Sequence, residues 1–181
     1  KPLDNAVLNL GLELRAPDTA ELLRAANMTT SKLEHRLGAL TLDGGLDGNL
    51  EELNISFSAH TAGNHLQVTG NLADFSDGGQ YDLVFNLANS SFATLAELLS
   101  GHAYEGKDAG AVRITGKLAG DGDAASISDL SLAIGKTHIA GAADVMLGGP
   151  VPVLHATLQA GLLDAGLFIG GATASTKQAE A

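Results

Sequence analysis

Six histidines, His35, His60, His65, His102, His138 and His155, are the side chains of this chain best suited to ligating a metal or moving a proton near neutral pH. None of them forms a His-x-His or His-x-x-x-His pair. His60 and His65 flank a turn at Gly63-Asn64 and can face each other across it. Two imidazoles supply only half of a tetrahedral zinc shell, so both read as turn residues. Two acidic stretches, Asp43-Gly44-Gly45-Leu46-Asp47-Gly48 and Asp121-Gly122-Asp123, resemble calcium loops. An EF-hand loop starting at Asp121 would need Glu at its twelfth position, where Leu132 stands. Both stretches therefore read as hairpin turns. No Gly-x-Ser-x-Gly elbow accompanies the serines, and Thr115-Gly116-Lys117 lacks the spaced glycines of a phosphate loop. The residues support no catalytic site, metal or cofactor, and the expectation is a non-enzymatic protein.

Composition narrows the field further. The 181 residues are 45% hydrophobic but only 4% aromatic, with no Trp and 23 glycines. Leu, Ala and Val must supply the apolar surface, which suits long regular strands better than a site built on aromatic anchors. A formal net charge of −11 repels phosphate backbones and argues against nucleic acid. The absence of cysteine removes disulfides and thiolate metal sites, and is compatible with the periplasm. No stretch reaches the roughly 18 apolar residues of a membrane span. Lys1-Pro2-Leu3-Asp4 is not a signal peptide, and the first strand pattern begins almost at once; a slice of a longer protein is expected.

The elements follow from alternation. Leu8, Leu10, Leu12 and Leu14 predict a strand that Pro17 ends, and Asp18 or Thr19 can cap a helix through Ala20, Leu22, Leu23, Ala26 and Met28. Strands are then predicted around Leu37, Leu40 and Leu42; Leu53, Ile55, Phe57 and Ala59; Leu66, Val68 and Leu72; and Tyr81, Leu83, Phe85 and Leu87. Asp77-Gly78-Gly79 is a turn signal. A second helix fits Ser91 to Leu99, with Phe92, Leu95, Leu98 and Leu99 on one side and Gly101 closing it. It has no Lys or Arg for a membrane-surface role and is expected to plug one end of the sheet. Further strands are predicted at Val112, Ile114 and Leu118; Leu130, Leu132 and Ile134; Ile139 and Val145; and Val153, Leu154 and Leu158. Leu162-Leu163-Asp164 lies where a third helix would begin.

The pattern also repeats. Gly44-Gly45-Leu46-Asp47-Gly48 and Gly116-Lys117-Leu118-Ala119-Gly120 place their outer glycines at a common offset of 72 residues. The expected organisation is an incoming strand and short helix over 1–36, a first β unit with terminal helix over 37–101, a second β unit over 102–169 and a mobile tail over 170–181. About ten strands at ~4.8 Å spacing and ~26 Å length present an apolar face on the order of 1,200 Å². Two short helices cover only about 300 Å² of it. The rest must close on itself as a sandwich or barrel, or meet an apolar ligand.

Two stretches carry a family resemblance. Tyr81-Asp82-Leu83-Val84-Phe85-Asn86-Leu87 runs into the helix at Ser91. Asp129-Leu130-Ser131-Leu132-Ala133-Ile134-Gly135 leads to Ile139-Ala140-Gly141, then to Pro152 through Leu158 and to Leu163-Asp164. The second resembles the recurrent unit of the AsmA-like proteins, the group that includes TamB, and the likeness covers residues 36 to 168. It implies a mainly β fold, a curled and strongly twisted antiparallel sheet with a taco-like groove and short helices at one end. It also implies a periplasmic body of a parent anchored in the inner membrane, a part in outer-membrane biogenesis, and phospholipid or another acyl-chain lipid as cargo. An outer-membrane protein is the expected partner, and nucleic acid is not. The groove lining is expected at Leu53, Ile55, Phe57, Leu66, Val68, Leu83, Phe85, Leu87, Ile114, Leu130, Leu132, Ile134, Ile139 and Leu158. The competing expectation is a closed β-sandwich module, structural or adhesin-like, that holds no lipid.

Overall fold

The computed structural model describes residues 7–19, 21, 38–49, 51–61, 63–74, 79–100, 102–148 and 152–161. Within them the chain runs β1 (Leu8–Ala16), β2 (Leu40–Gly48), β3 (Glu52–Thr61), β4 (Asn64–Ala73), β5 (Gln80–Asn89), a single helix α1 (Phe92–Ser100), then β6 (Val112–Gly120), β7 (Ala124–Ile134), β8 (Thr137–Met146) and β9 (Val153–Ala160). All nine strands form one antiparallel sheet in chain order. Six of the eight connections are six residues or fewer and turn each strand back beside its predecessor, while β1–β2 and β5–β6, joined by more than twenty residues each, pair antiparallel as well. The sheet passes across α1 without a break, because β5 pairs directly with β6 from Tyr81↔Gly120 to Asn89↔Val112.

Two expectations are corrected here. The sheet is open, with β1 and β9 as its edges, so the closed sandwich does not form. The acidic stretch Asp43 to Gly48 is not a hairpin turn: it is the second half of β2, paired on both sides. Alternation explains this, since Gly44, Leu46 and Gly48 fall on one face and Asp43, Gly45 and Asp47 on the other. Asp121-Gly122-Asp123 is the β6–β7 turn as expected, with Asp121 Oδ1 accepting the amides of Asp123 and Ala124 at 2.8 and 2.9 Å. Asn49 does the same between β2 and β3, accepting the amides of Glu51 and Glu52 at 2.8 and 2.9 Å. The Asp121 carboxyl sits below its ordinary pKa, held there by the Asp123 amide and then the Ala124 amide.

One strand is longer than its pattern predicts. β7 begins at Ala124, well before Leu130, and its register shifts against β8 between Ile127 and Leu130. The bulge contains Asp129, at φ 51°, a left-handed conformation that Asp tolerates better than most residues. One extra residue switches the parity of alternation, so Ala125 and Ile127 share a face with Leu130, Leu132 and Ile134. Lys117 on β6 spans the bulge to Asp129 at 2.8 Å, and that carboxylate raises the lysine pKa.

α1 has a fully satisfied first turn. The Phe92 amide donates to Gly110 O at 2.7 Å, the Ala93 amide to Asp108 Oδ1 at 3.1 Å, and the Thr94 amide to the Ser91 hydroxyl at 3.1 Å. The Asp108 carboxyl is held below its ordinary pKa chiefly by the Ala93 amide, with help from Ser91, Gly110 and Phe92. A lowered folded-state pKa stabilises the protein above the unfolded value, and that contribution fades as pH falls through the folded value. Asp108→Asn is therefore expected to lower the melting temperature at pH 7 and to leave it unchanged near pH 2. Equal losses at both pH values would show that the carboxylate charge is immaterial.

The helix buries one end of the sheet. Leu95 forms a cluster with Val112 at the start of β6 and Ile134 at the end of β7, with Phe92, Ala109, Ile114 and Leu132 around it. Phe92 meets Tyr104 edge to face, ring centroids 5.4 Å apart. Leu95→Ala empties this cluster and is expected to cost about 2–4 kcal/mol, read as a lowered denaturation midpoint. The predicted helix from Ala20 to Met28, the turn at Asp77-Gly78, the segment at Leu162 and the tail from 170 lie outside the described residues.

Candidate functional site

Cross-strand partners in an antiparallel sheet project to the same face, so the register assigns a face to every side chain. Starting from Ile55, the chain of partners runs through Leu46 to Leu10 on one side and through Gly70 to Leu83 and Leu118 on the other. Following every pair in this way places all fourteen predicted lining residues on one face. Sheet continuity brings them together; no loop or helix is needed to position them. The opposite face carries Asp43, Asp47, Asn54, Ser56, Gln67, Asp82, Arg113, Thr115 and Lys117 and is mostly hydrophilic, with exposed Val84 on β5 and Met146 and Val153 at the β8–β9 end among them.

The apolar face is poorly covered. Only Leu53, Ile55 and Ile134 of the fourteen are buried. Leu66 and Leu158 are exposed, the latter at 59%, and the other nine are half-buried. On β1, Leu8, Leu10 and Leu12 on the same face are exposed too. Nine strands at ~4.8 Å and about ten residues at ~3.3 Å give a face on the order of 1,400 Å². A nine-residue helix about 13 Å long and ~10 Å wide hides roughly a tenth of it. Glycine and aromatic residues are fitted to each other on this face. Phe57 lies over Gly44 and Phe85 over Gly116, each directly opposite its glycine in the register, where an added Cβ would strike the ring.

The row of the face that meets α1 is polar where it must be. Asn89 donates to Asn64 Oδ1 at 3.0 Å, and Asn64 donates to Thr61 O at 3.1 Å. Asn89 Oδ1 accepts the Ser91 amide at 2.7 Å, which ties the end of β5 to the helix start. Sequence reasoning missed this pair, although two Asn residues closing otherwise apolar strands at Asn64 and Asn89 were a usable signal.

Among the described residues, shallow depressions lie on or beside the hydrophilic face. One, of about 470 Å³, is lined by His65, Ala88, Arg113 and Ala133, with Gly63 and Gly135 at the rim. A second, of about 450 Å³ beside Asn71, Asp82 and Asp121, occupies the opposite end of the strands. A third, of about 280 Å³, lies over β1, β2 and β3 near Asn9, Asp47 and Asn54.

Among the described residues, which exclude His35, no three His, Asp or Glu side chains are grouped to hold an ion. His60 and His65 do meet across the β3–β4 hairpin, their rings stacked 4.1 Å apart and 10° from parallel. His65 Nε2 also lies 3.2 Å from the Ser58 hydroxyl. Comparison with family models, with curated proteins and with solved structures finds no match.

Proposed function

We propose that this chain is a lipid-handling segment of an AsmA-like periplasmic protein, holding acyl chains on the apolar face of its sheet. The observation that carries the reading is the uncovered face: fourteen in-register Leu, Ile, Val and Phe side chains on one side of an open sheet, eleven of them not buried. Contiguous apolar surface of this size on a soluble protein marks a binding surface. In this reading the sheet curls about its strand axes into a groove, α1 stops one end, and lipid head groups stay at the wet rim. The mechanism is passive, with lipid moving along the face from strand to strand between inner and outer membranes. The hydrophobic effect holds each methylene by about 0.8 kcal/mol, and no side chain performs chemistry.

The same reading takes the sheet as two related units. Its support is local geometry that recurs near the 72-residue offset. The Thr19 amide donates to Gly38 O as the Phe92 amide does to Gly110 O, and Asn49 caps its turn as Asp121 does. The likeness is incomplete: the aromatic over Gly44 comes from the following strand, and the one over Gly116 from the preceding strand.

The test is the content of the face. Protein purified without detergent and examined by native mass spectrometry should carry phospholipid, recoverable by organic extraction. Lipid-free protein that also fails to bind a fluorescent fatty acid overturns the reading.

A further inference from the structure

We propose that the depression over β4 to β7 on the hydrophilic face binds a phosphate-bearing anion through Arg113 and His65. The site is on the opposite side of the sheet from the apolar face and stands or falls independently of lipid carriage.

The chain is strongly acidic overall, at −11, yet over β3 to β8 the two rows of this face nearest α1 carry no carboxylate. At the end of the strands nearest α1, the register aligns His60, His65, Ala88, Arg113, Ala133 and His138 across β3 to β8, with no carboxylate among them. The neighbouring row, Ser58, Gln67, Asn86, Thr115, Ser131 and Ala140, is neutral over β3 to β8, and its acids, Asp43 and Glu13, lie on β2 and β1, two strands or more from His65. On β2, β5 and β8 respectively, Asp47, Asp82 and Asp144 lie in a row at the far end of the strands. Asp108, in the loop entering β6, is engaged by the Ala93 and Gly110 amides.

The local geometry fits an oxyanion. Arg113 and His65 stand on strands separated only by β5, about 9.6 Å apart. Between them lies Ala88, and beyond Arg113 lies Ala133; these two methyl groups leave the floor of the 470 Å³ depression low. Arg113 makes no ion pair or side-chain hydrogen bond among the described residues, so its planar fork is available for two parallel bonds to phosphate oxygens. His65 is held in place by the His60 ring and by Ser58. When the Ser58 hydroxyl donates to Nε2, the imidazole proton resides on Nδ1, which makes no hydrogen bond among the described residues and is a donor for the anion. A tetrahedral phosphate group carrying an organic substituent fits both the volume and the donor set.

The test titrates the protein at low salt with glycerol 3-phosphate, followed by amide NMR shifts, and in parallel with phosphatidylglycerol vesicles followed by co-sedimentation. The expected result is saturable binding with a dissociation constant on the order of 1 mM for the soluble ester. Arg113→Gln should weaken it about tenfold or more, as loss of a charge-assisted bidentate contact implies. His65→Gln should weaken it less. Lys117→Gln, on the same face but paired with Asp129, should leave it unchanged. Binding to vesicles alone, lost in Arg113→Gln, supports the site with a lipid head group as its source. No saturable binding to either probe up to about 20 mM, well above the expected constant, overturns the proposal. So does binding that Arg113→Gln leaves intact.

Discussion

Leu66→Asp is expected to abolish acyl-chain retention while the sheet stays folded. Leu66 stands on the apolar face near the start of β4, opposite Ala59 on β3 and Leu87 on β5. It is already 37% exposed, so a charge there stays hydrated in the lipid-free protein, and the stability cost is about 1 kcal/mol or less. With an acyl chain laid across the face, the same carboxylate loses water and gains no partner. That penalty is several kcal/mol, enough for a loss of a hundredfold or more in affinity. Circular dichroism melts should superimpose within a few degrees on the parent protein, and fatty-acid fluorescence titration should show binding gone. Retention of lipid at the parent stoichiometry would refute the proposal that this face carries it. The equivalent change at Leu132 is a poorer test. Leu132 packs against the Leu95, Val112 and Ile134 cluster, so Leu132→Asp would damage the core and the face together.

The largest stability effect is expected at Gly70. Its φ is 152°, and a Cβ added there would run into the Asp82 carbonyl oxygen and the Leu83 Cα on β5. Both obstacles are backbone, so neither can swing aside. Gly70→Ala must therefore pry β4 from β5, or twist residue 70 out of its conformation, at a cost of about 3 kcal/mol. For a domain of this size that lowers the melting temperature by roughly 6–12 °C. Gly11→Ala is the matched control. It also lies in a strand, but a Cβ there meets nothing within 4 Å. Its expected effect is near zero, or slightly stabilising through a less flexible unfolded chain. Comparable losses at both glycines would mean that the close approach at Gly70 is not what matters.

Much of this architecture is legible in residue order. Leu53, Ile55 and Phe57 against Asn54, Ser56 and Ser58 dictate β3, its buried side and the parity of its neighbours. Once parity is known, short turns such as Gly63 and Asp121 allow only antiparallel pairing with the adjacent strand. The lining residues share a face for that reason. Two features escaped. The bulge at Asp129 breaks the two-residue period, hiding Ala125 and Ile127 from a search for alternation. Asp43 to Gly48 looks like a turn because Asp and Gly are turn formers, yet a β strand accepts them where Phe57 covers Gly44 and the aspartates face water.

Sequence alone determined the strand count to within about one, the apolar parity and the helix at Ser91. These are local properties, encoded in spacing and turn chemistry. What only the tertiary structure decided is how the strands close and who meets whom across them. An open meander and a closed sandwich demand the same alternation, so periodicity is silent between them. The Asn64–Asn89 pair and the row that joins His65, Arg113 and His138 unite residues that lie far apart in the chain. Their meeting is fixed by register across strands, a long-range quantity that no single segment contains.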